Sequence, residues 1–444
     1  MKSITHDALF EKHGICFDML RPVEYYVSPS TSGASAAGAG AAATRSDNSN
    51  AAPQRQQQQQ KPLTQQHLEF VFFDPLTMTR PTKPALCFCR CGIVEYALHF
   101  ATSKQRIVTH DVALKILKRA ELARQYDDPV REVDAMSALR APGFVGSRRS
   151  AEPCERGQQL IPRWRTIMDG GNVYTAAEFA SNGSLIQYAH TYLRRIRFEA
   201  FDEELHDELI DDIVVSKIKR AVSRVWRRAA LSIFAGIASA VAWMHSRRVA
   251  HLDLDPYNVV VDSVGNPLIV DFGSAERWRD DDDDDGKHDD ETPDARAMVG
   301  RGRPIPCKRV FAAPELLVHN RTFETSAGVR GDAADCWALG SMLYWLLCLS
   351  TPDQQNDKVI DPVGNDPKWM SRVRAHAADL HPQNCRVCAL RLDPAVEQVL
   401  MGLLIETEPA TRLSASVVAD RMQNYREPIV KDVSDLVEQA LSDG

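Results

Sequence analysis

The chain has 444 residues, of which 44% are hydrophobic and 25% are charged, a composition typical of a globular protein with a hydrophobic core. It carries 53 Lys and Arg against 60 Asp and Glu, a formal net charge of −7, whereas dedicated nucleic-acid-binding proteins carry a positive excess. The longest apolar stretch, 229–244, is too short to cross a bilayer. We therefore expect neither a nucleic acid nor a membrane as partner.

The cysteines and the N-terminus indicate the compartment. Ten cysteines without regular spacing fit reduced thiols better than a disulfide framework. The first residues, MKSITHDALFEKHG, lack the apolar core of a secretory signal. We expect a monomer located in the cytoplasm or the nucleus.

The first 84 residues divide into three stretches. Residues 1–30 contain several aromatic side chains and are interpreted as an N-terminal extension that can dock. Residues 31–62 are rich in Ala, Gly, Ser and Gln, so they bury too little apolar surface to fold and are predicted to be a disordered linker. Residues 63–84 lead into the main domain, with a strand predicted at 68–73. At the other end, 426–444 is interpreted as a tail.

The predicted elements change from strands to helices along the main domain. Short β-type runs are followed or separated by segments with apolar residues at helical spacing. The predicted strands are 86–97, 112–117, 172–179, 259–261 and 268–270. The predicted helices are 128–139, a buried helix around 233–244, 333–349, 395–404 and 414–422.

Three stretches are unusual in charge or in cysteine spacing. Residues 201–228 are acidic first and basic second, 280–285 is an unbroken run of Asp, and Cys385 and Cys388 form a lone CxxC. We interpret each as a solvated loop or helix. The Asp run is expected to be extended by like-charge repulsion, and it could shield the basic residues at 301–309 or favour basic substrates.

The side chains best suited to chemistry lie between 251 and 273. Asp253 is followed by Asn258 and then by Asp271, which ends an apolar strand. A carboxylate can accept the proton of a hydroxyl, and amide and carboxylate oxygens are ligands that suit Mg²⁺. Taken alone, the same residues are also common at turns and strand ends.

These residues carry a resemblance to a known family. The segment HLDLDPYNVVVDSVGNPLIVDFG resembles the catalytic loop and metal-binding motif of the eukaryotic protein kinases. The chain is thereby identified as a divergent member of serine/threonine type. Further motifs lie before and after this segment in the order of the family. Those before it are VALK with Lys115 and REVDAM with Glu132. Those after it are FAAPE with Glu315, DCWALG with Asp335, and EPATR with Arg412.

The resemblance implies an α+β, bilobal protein-kinase-like fold, with a small β-rich N-lobe that has one main helix and a larger helical C-lobe. The kinase domain is placed at 85–425, the N-lobe at 85–178 and the C-lobe at 181–425. Insertions are placed at about 145–170, 195–228 and 276–305. Structural positions implied by the resemblance are Met136, His251, Phe272, Glu315, Asp335 and Arg412.

The resemblance also implies ATP and Mg²⁺ as cofactors and a protein as substrate. Lys115 would hold the α- and β-phosphates and pair with Glu132, and Asp253 would orient and deprotonate the acceptor hydroxyl. Asn258 and Asp271 would hold Mg²⁺. Residues 178–180 resemble the hinge that binds adenine, with Ala177 at the gatekeeper position. The nucleotide contacts implied outside the phosphate and metal residues are Leu86, Gly92, Val94, Ala113, Ala177, Glu178 and Ala180.

The phosphate-covering loop departs from the family pattern. In LCFCRCGIV only Gly92 remains of the family glycines, and Cys87 and Cys89 occupy the first two glycine positions. Glycine allows the backbone to approach phosphate closely, so we expect a weakened cradle. A metal cluster of Cys87, Cys89 and Cys91 is the alternative, but no fourth ligand is evident nearby.

The catalytic loop departs from the pattern at two further positions. Leu252 replaces an arginine that meets a phosphorylated activation loop in the family, so we expect catalysis that does not depend on such phosphorylation. Asp255 replaces a lysine that stabilises the transferred phosphoryl group. We predict a charge swap, in which Lys308 pairs with Asp255 and supplies the positive charge; a surface lysine near Arg301, Arg303 and Arg309 is the alternative.

We therefore predict an ATP- and Mg²⁺-dependent serine/threonine protein kinase. Damage to the glycine loop and the acidic Asp255 leave open a catalytically impaired pseudokinase that acts as an ATP-binding scaffold or regulator. A small-molecule kinase is disfavoured because the FAAPE and DCWALG motifs are typical of protein kinases.

Overall fold

The structure is a computed structural model of the chain. It describes residues 20–22, 69–72, 86–89, 92–103, 106–118, 121, 129–139, 157, 160–162, 164–168, 172–204, 212–278, 298–348, 393–404, 408–426 and 433–442. The predictions for the linker at 31–62, the Asp run at 280–285, Cys91 and the Cys385–Cys388 pair lie outside these residues.

One antiparallel sheet forms the first lobe. Its path runs β1-β2-β4-β5-β7-β6, and β3 pairs with β4. The strands alternate between buried and half-exposed side chains, as Val112 and Leu114 against Ala113 and Lys115 in β5, which is the period of a sheet with one buried face. The bounds are β1 Leu20–Pro22, β2 Glu69–Phe72, β3 Cys87–Cys89, β4 Gly92–Ser103, β5 Arg106–Lys118, β6 Trp164–Met168 and β7 Asn172–Glu178.

The sheet is wider than the sequence pattern indicates. The strand predicted at 68–73 is confirmed as β2, and β1 from the N-terminal extension pairs with it in antiparallel register. β6 lies inside the stretch that was interpreted as an insertion at about 145–170, where it pairs with β7. A three-residue strand such as β1 has too few residues to show a period of two, so its sequence carries no strand signal.

The second lobe is helical, and its core is continuous with the helix of the first lobe. Met136 of α1 belongs to the same buried cluster as Phe234, Leu339 and Val399 of the second lobe. The helices are α1 Pro129–Ala138, α2 Leu185–Glu204, α3 Asp212–Ser246, α4 Pro314–Thr322, α5 Gly331–Cys348, α6 Pro394–Leu404, α7 Ala415–Met422 and α8 Val433–Ser442. This arrangement confirms the predicted α+β, bilobal fold.

Helix α2 is not among the helices predicted from the sequence, and α3 is longer than the helix predicted around 233–244. Residues 212–228, interpreted as part of a solvated insertion, form the first half of α3 and bury Ile218, Val225 and Trp226. The Trp226 indole donates to the Leu346 carbonyl at 2.8 Å. By length and composition 215–246 could cross a membrane, but 78% of its apolar stretch is buried inside the fold, as in the core helix of a globular domain.

The predicted tail contains a packed helix. In α8 the side chains of Val433, Val437 and Leu441 are buried in the main core. Arg224 of α3 donates to the Ala440 carbonyl at 3.4 Å, and Ser434 donates to Glu199 of α2 at 3.1 Å. The helix therefore covers the extended α2–α3 pair.

Three short antiparallel pairs position the loops between the helices. β8 (Val249–Ala250) pairs with β11 (Glu276–Arg277), and β9 (Val259–Val261) pairs with β10 (Pro267–Ile269). β12 (Met298–Val299) pairs with β13 (Val329–Arg330). A short 3-10 helix at Phe272–Ser274 follows β10 and contacts α1. The hairpin β9–β10 brings the residues before and after it to the same end of the lobe.

A buried ion pair fixes the segment before α4 to the helical core. The Arg412 guanidinium binds Glu315 through two hydrogen bonds of 2.6 and 3.2 Å and also donates to the Ala333 carbonyl at 2.6 Å. The Arg412 side chain is fully buried, and that of Glu315 is 17% exposed. The sequence-based structural roles of these two residues agree with this position.

Replacing Arg412 with Ala should lower the free energy of unfolding by about 3–5 kcal/mol, because a buried carboxylate and a carbonyl lose their partner. Urea unfolding measures the loss. The double variant Arg412→Met/Glu315→Met should be more stable than Arg412→Ala, since it leaves no unpaired charge. A loss below about 1 kcal/mol in Arg412→Ala would contradict this role.

Candidate active site

Lys115 joins the two lobes at the centre of the site. Its Nζ lies 3.2 Å from Oε1 of Glu132 on α1 and 2.7 Å from Oδ1 of Asp271, which follows β10. The Lys115 side chain is 15% exposed and that of Glu132 5%. In this largely buried place a cation is stable only between carboxylates, so the three side chains hold each other in position.

The register of the sheet places the predicted nucleotide residues on the face that carries Lys115. In β4, Val94 lies opposite Lys115, and in β7, Ala177 lies opposite Ala113. Directly paired residues and residues two apart share a face. Val94, Ala113, Lys115 and Ala177 therefore line one surface.

The hinge predicted at 178–180 begins at Glu178, the last residue of β7. The backbone N–H of Phe179 donates to the Asp111 carbonyl at 3.2 Å, which ties the hinge to β5. Glu178 is half-buried and Ala180 is buried, whereas Leu86 at the other side of the sheet is 47% exposed. The structure thus brings Ala177, Glu178 and Ala180 together, and Leu86 is open to solvent.

Gly92 has a packing role in addition to the predicted phosphate contact. It is the first residue of β4 and pairs with both Cys89 and Leu117. A Cβ at this position would collide with the backbone carbonyl of Ile116. The close approach of β4 and β5 therefore requires glycine here whether or not phosphate is bound.

The loop that carries Asp253 is held from below by a buried carboxylate. Asp335 of α5 accepts from the backbone N–H groups of His251 and Leu252, each at 2.8 Å, and contacts the His245 ring at 3.0 Å. Leu252 has a φ of 67°, a strained conformation for a branched side chain. The two hydrogen bonds stabilise this turn, which presents Asp253 to the cleft.

Asn258 and Asp253 contact each other. The amide Nδ2 of Asn258 donates to the Asp253 carbonyl at 2.7 Å and to its carboxylate at 3.1 Å. Because Nδ2 is engaged twice, the amide oxygen is the atom of Asn258 that is left for a cation.

The carboxylates differ in their electrostatics. Lys115 is the main cause that holds the pKa of Asp271 down at about 2, so this carboxylate is charged at neutral pH. Burial raises the pKa of Asp253 above its ordinary value, although Lys308 opposes the shift. A raised pKa makes Asp253 a better proton acceptor than an exposed carboxylate.

The residues present fit a Mg²⁺ ion that takes part of its coordination from phosphates and water. Asp271 has an ionised carboxylate, and its side chain is 42% exposed. Asn258 adds an amide oxygen, and such hard oxygen ligands suit Mg²⁺. Among the described residues no group of three or more His, Cys, Asp and Glu side chains is placed to hold a metal ion by itself.

Lys308 contacts both Asp253 and Asp255, so the predicted pairing of Lys308 with Asp255 is confirmed. Its Nζ makes an ion pair with Oδ2 of the fully buried Asp255 and lies 3.4 Å from Oδ2 of Asp253. Its backbone N–H donates to Oδ1 of Asp253 at 2.7 Å. The alternative, a surface lysine near Arg301, Arg303 and Arg309, does not account for these contacts with the catalytic loop.

Leu252 lies in an apolar cluster where the family pattern has an arginine. Its side chain is buried with Ile305, Ala313 and Leu316. The residues around 300, before α4, are held by Glu276, which pairs with Arg303 and accepts from the Gly300 N–H at 3.0 Å. These contacts hold residues 298–316 in place through apolar packing and an ion pair.

Sequence reasoning missed some residues of the site. Tyr96 lies opposite Ala113, hydrogen-bonds Asp111 and packs edge-on against Phe179 of the hinge at 4.9 Å. Thr175 lies opposite Lys115 and is buried. Both residues lie two positions from a predicted one in the same strand, Tyr96 from Val94 and Thr175 from Ala177, so the strand period places them on the same face. Nothing else in their sequence context indicates a role in the site.

Comparisons with known proteins agree with this geometry. A family model described as "Protein kinase domain" matches residues 101–422. The chain is 24% identical over 334 residues to serine/threonine-protein kinase ULK3 of Mus musculus, covering 73% of this chain and 51% of that protein. It is 29% identical over 224 residues to serine/threonine-protein kinase PKH3 of Eremothecium gossypii (50% and 24% covered). It is 30% identical over 284 residues to maternal embryonic leucine zipper kinase of Xenopus tropicalis (63% and 32% covered). The chain spans about half or less of the length of these relatives.

The small Ala177 side chain generates a binding prediction. Purine analogues with a bulky substituent should raise the melting temperature of the wild-type protein, because Ala177 leaves room beside the face of Lys115. Ala177→Met should abolish most of this shift, since a longer side chain fills the space, and should leave the shift produced by ATP in place. Equal shifts by the bulky analogue in both proteins would contradict the assignment.

Proposed function

Because this chain belongs to the protein kinase family, we propose that it transfers the γ-phosphoryl group of ATP to a Ser or Thr hydroxyl of a protein, with Mg²⁺. The observation that carries the proposal is the convergence of Lys115, Glu132 and Asp271 after the end of β10. The residue before Asp271, Val270, donates its N–H to the Asn258 carbonyl at 2.9 Å, which brings the Asp253–Asn258 pair to the same place. Phosphoryl transfer depends mainly on positioning and on stabilising charge, and this cluster offers both.

The nucleotide would lie between the sheet and the catalytic loop. Adenine would contact the backbone of 178–180 and the apolar face formed by Val94, Ala113 and Ala177. Lys115 would bind the phosphates next to Glu132. When bound, Mg²⁺ held by Asn258 and Asp271 would neutralise the charge that spreads over the phosphate oxygens.

Asp253 would act on the acceptor hydroxyl. Its carboxylate accepts a hydrogen bond from the hydroxyl, orients the oxygen toward the γ-phosphorus and takes the proton as the new P–O bond forms. The bond between the γ-phosphorus and the bridging oxygen breaks, and ADP leaves with the electron pair of that bond. The hydrogen bond from Asn258 keeps the Asp253 side chain in the required orientation.

The choice of Ser or Thr as acceptor is supported by the relatives. The mouse and Eremothecium proteins are both named serine/threonine-protein kinases.

The free cysteines among the described residues, Cys307 and Cys336, are in keeping with the cytoplasm or the nucleus as location. We propose a protein as the substrate.

A catalytically impaired scaffold is the second candidate. Two observations favour it. Cys87 and Cys89 stand at two glycine positions of the phosphate loop. In addition, Oδ1 of Asp253, which could accept the substrate proton, already accepts from the Lys308 N–H at 2.7 Å. The presence of Asp253 argues for activity, because a scaffold that only binds nucleotide has no need of a proton acceptor.

The decisive experiment is a phosphotransfer assay with the purified full chain. We expect label from γ-labelled ATP in mixed basic protein substrates in the presence of Mg²⁺, and at least a 10²-fold loss, roughly, in Asp253→Asn, because proton transfer contributes about 10²–10⁴-fold. Asp271→Ala should be equally inactive and should also lose the Mg²⁺ dependence of nucleotide binding.

Phosphoamino-acid analysis of the labelled substrate identifies the acceptor. Phosphoserine or phosphothreonine is the expected product, and phosphotyrosine alone would contradict the acceptor assignment. Melting-temperature stabilisation by Mg·ATP without any transfer in the wild-type protein would favour the scaffold.

Activity should also be independent of phosphorylation of the segment between Asp271 and Glu315. Leu252 is buried in an apolar cluster and supplies no charge to bind a phosphate there. Treatment of the recombinant protein with a phosphatase, followed by removal of the phosphatase, should leave the transfer rate within about twofold. Loss of activity that returns after incubation with Mg·ATP would refute this prediction.

A further inference from the structure

Lys308 is anchored more firmly than an ordinary surface lysine. Its ammonium makes an ion pair with Asp255 Oδ2 and lies 3.4 Å from Asp253 Oδ2. Its backbone N–H is bound to the other oxygen of Asp253 at 2.7 Å. Both the main chain and the side chain of Lys308 are thus fixed to the catalytic loop, although Lys308 lies on the segment before α4.

Asp255 is suited to hold this cation and has little access to solvent for any other role. Its side chain is fully buried, and its Oδ1 accepts from the backbone N–H of Tyr257 at 2.6 Å and of Asn258 at 3.3 Å. The other oxygen, Oδ2, faces the Lys308 ammonium. A buried carboxylate requires a compensating charge, and within the described part of the chain Lys308 supplies it.

The Lys308 side chain remains accessible beside Asp253. Its side chain is 41% exposed, against 18% for Asp253. Burial lowers the pKa of Lys308, but the two carboxylates outweigh this and raise it above its ordinary value. The side chain is therefore a permanent cation on the edge of the site.

The position of Lys308 suits the chemistry of phosphoryl transfer. An acceptor oxygen in hydrogen-bond contact with Asp253 lies about 2.6–3.2 Å from its carboxylate and about 3–3.5 Å from the phosphorus that it attacks. A cation 3.4 Å from the same carboxylate, on a long and partly exposed side chain, can reach the oxygens of a transferring group at this place. Preorganised charge at such a place stabilises the transition state.

We propose that Lys308 is the cation that binds the γ-phosphoryl group during transfer, and that Asp255 is the positioning residue that holds it there. The positive charge beside the catalytic carboxylate thus comes from the segment before α4, and the catalytic loop provides its acidic anchor. This inference rests on the proposed function. Asp255 then supports catalysis by positioning Lys308.

The test is a pair of substitutions that removes both charges and leaves no unpaired charge in the site. In Lys308→Met/Asp255→Asn the amide oxygen of Asn can still accept from the Tyr257 N–H, and Met keeps the length of the Lys308 side chain and its backbone N–H. The melting temperature should therefore stay close to that of the wild-type protein. We expect kcat to fall by about 10²–10³-fold, the usual loss for one preorganised donor.

A relocated pair provides the rescue. Asp255→Lys/Lys308→Thr places the cation on the catalytic loop and removes the second one, so it should recover kcat to within about tenfold of the wild-type protein. A folded relocated pair that is as slow as the neutral pair would overturn the proposal. The control is Lys118→Met/Glu121→Gln, an exposed ion pair at the end of β5, which should leave kcat within about twofold.

A nucleotide-binding measurement separates this proposal from the proposed function. By calorimetry with Mg²⁺, the wild-type protein should bind ATP more tightly than ADP, and the neutral pair should lose about tenfold of this preference, because ADP lacks the group that Lys308 binds. If the wild-type protein transfers no phosphate, the proposed function fails and this ratio alone decides on Lys308. An unchanged kcat in the folded neutral pair, or an unchanged ratio where no transfer occurs, would show that the ion pair is only structural.

Discussion

The ammonium of Lys115 is the charge on which the arrangement of the site depends. It is held by Glu132 at 3.2 Å on one side and by Asp271 at 2.7 Å on the other, and these carboxylates come from different lobes. Since a largely buried cation must be paired, the ion pairs fix α1 of the first lobe against the 3-10 helix that follows Asp271. The space around them is kept open by Gly273, whose Cβ would lie 3.3 Å from Asp271 Oδ1.

A second layer of contacts holds the catalytic loop from the opposite side. Asp335 accepts from the backbone N–H groups of His251 and Leu252. The His251 ring packs on Phe272 with ring centroids 5.2 Å apart. His251 also contacts the Val270 carbonyl at 3.0 Å. Buried hydrogen bonds of this kind resist displacement because each lost partner leaves an unsatisfied group. The loop therefore presents Asp253 and Asn258 on a rigid support.

Sequence reasoning could predict the parts of the site that carry distinctive side chains. The carboxylates, the amide and the buried lysine could be placed by their motifs. The acidic Asp255, at a position where the family has a lysine, predicted the contact with the oppositely charged Lys308, which the structure confirms. Their roles in nucleotide binding and catalysis stay predictions. Tyr96 was missed because an aromatic residue in a strand is ordinary in any sheet.

The fold was less predictable where polar side chains cover a buried stripe. Residues 212–228 carry many Lys and Arg, whose long stems can lie along apolar surface while the charge stays in water. Because the segment was judged by its charge, the buried stripe was not recognised; it consists of Ile218, Ala221, Val225 and Trp226. The tail was misjudged for a related reason, because α8 is too short to be stable alone and forms through its contacts with α2 and α3.

The most direct measurement of the central claim is a calorimetric titration of the full chain with ATP, with and without Mg²⁺, for the wild-type protein and for Lys115→Met. The account predicts Mg²⁺-dependent binding in the wild-type protein and at least a tenfold weaker affinity, roughly, in the variant, since a cation–phosphate contact is lost. Binding of equal strength in both proteins, or binding indifferent to Mg²⁺, would contradict it.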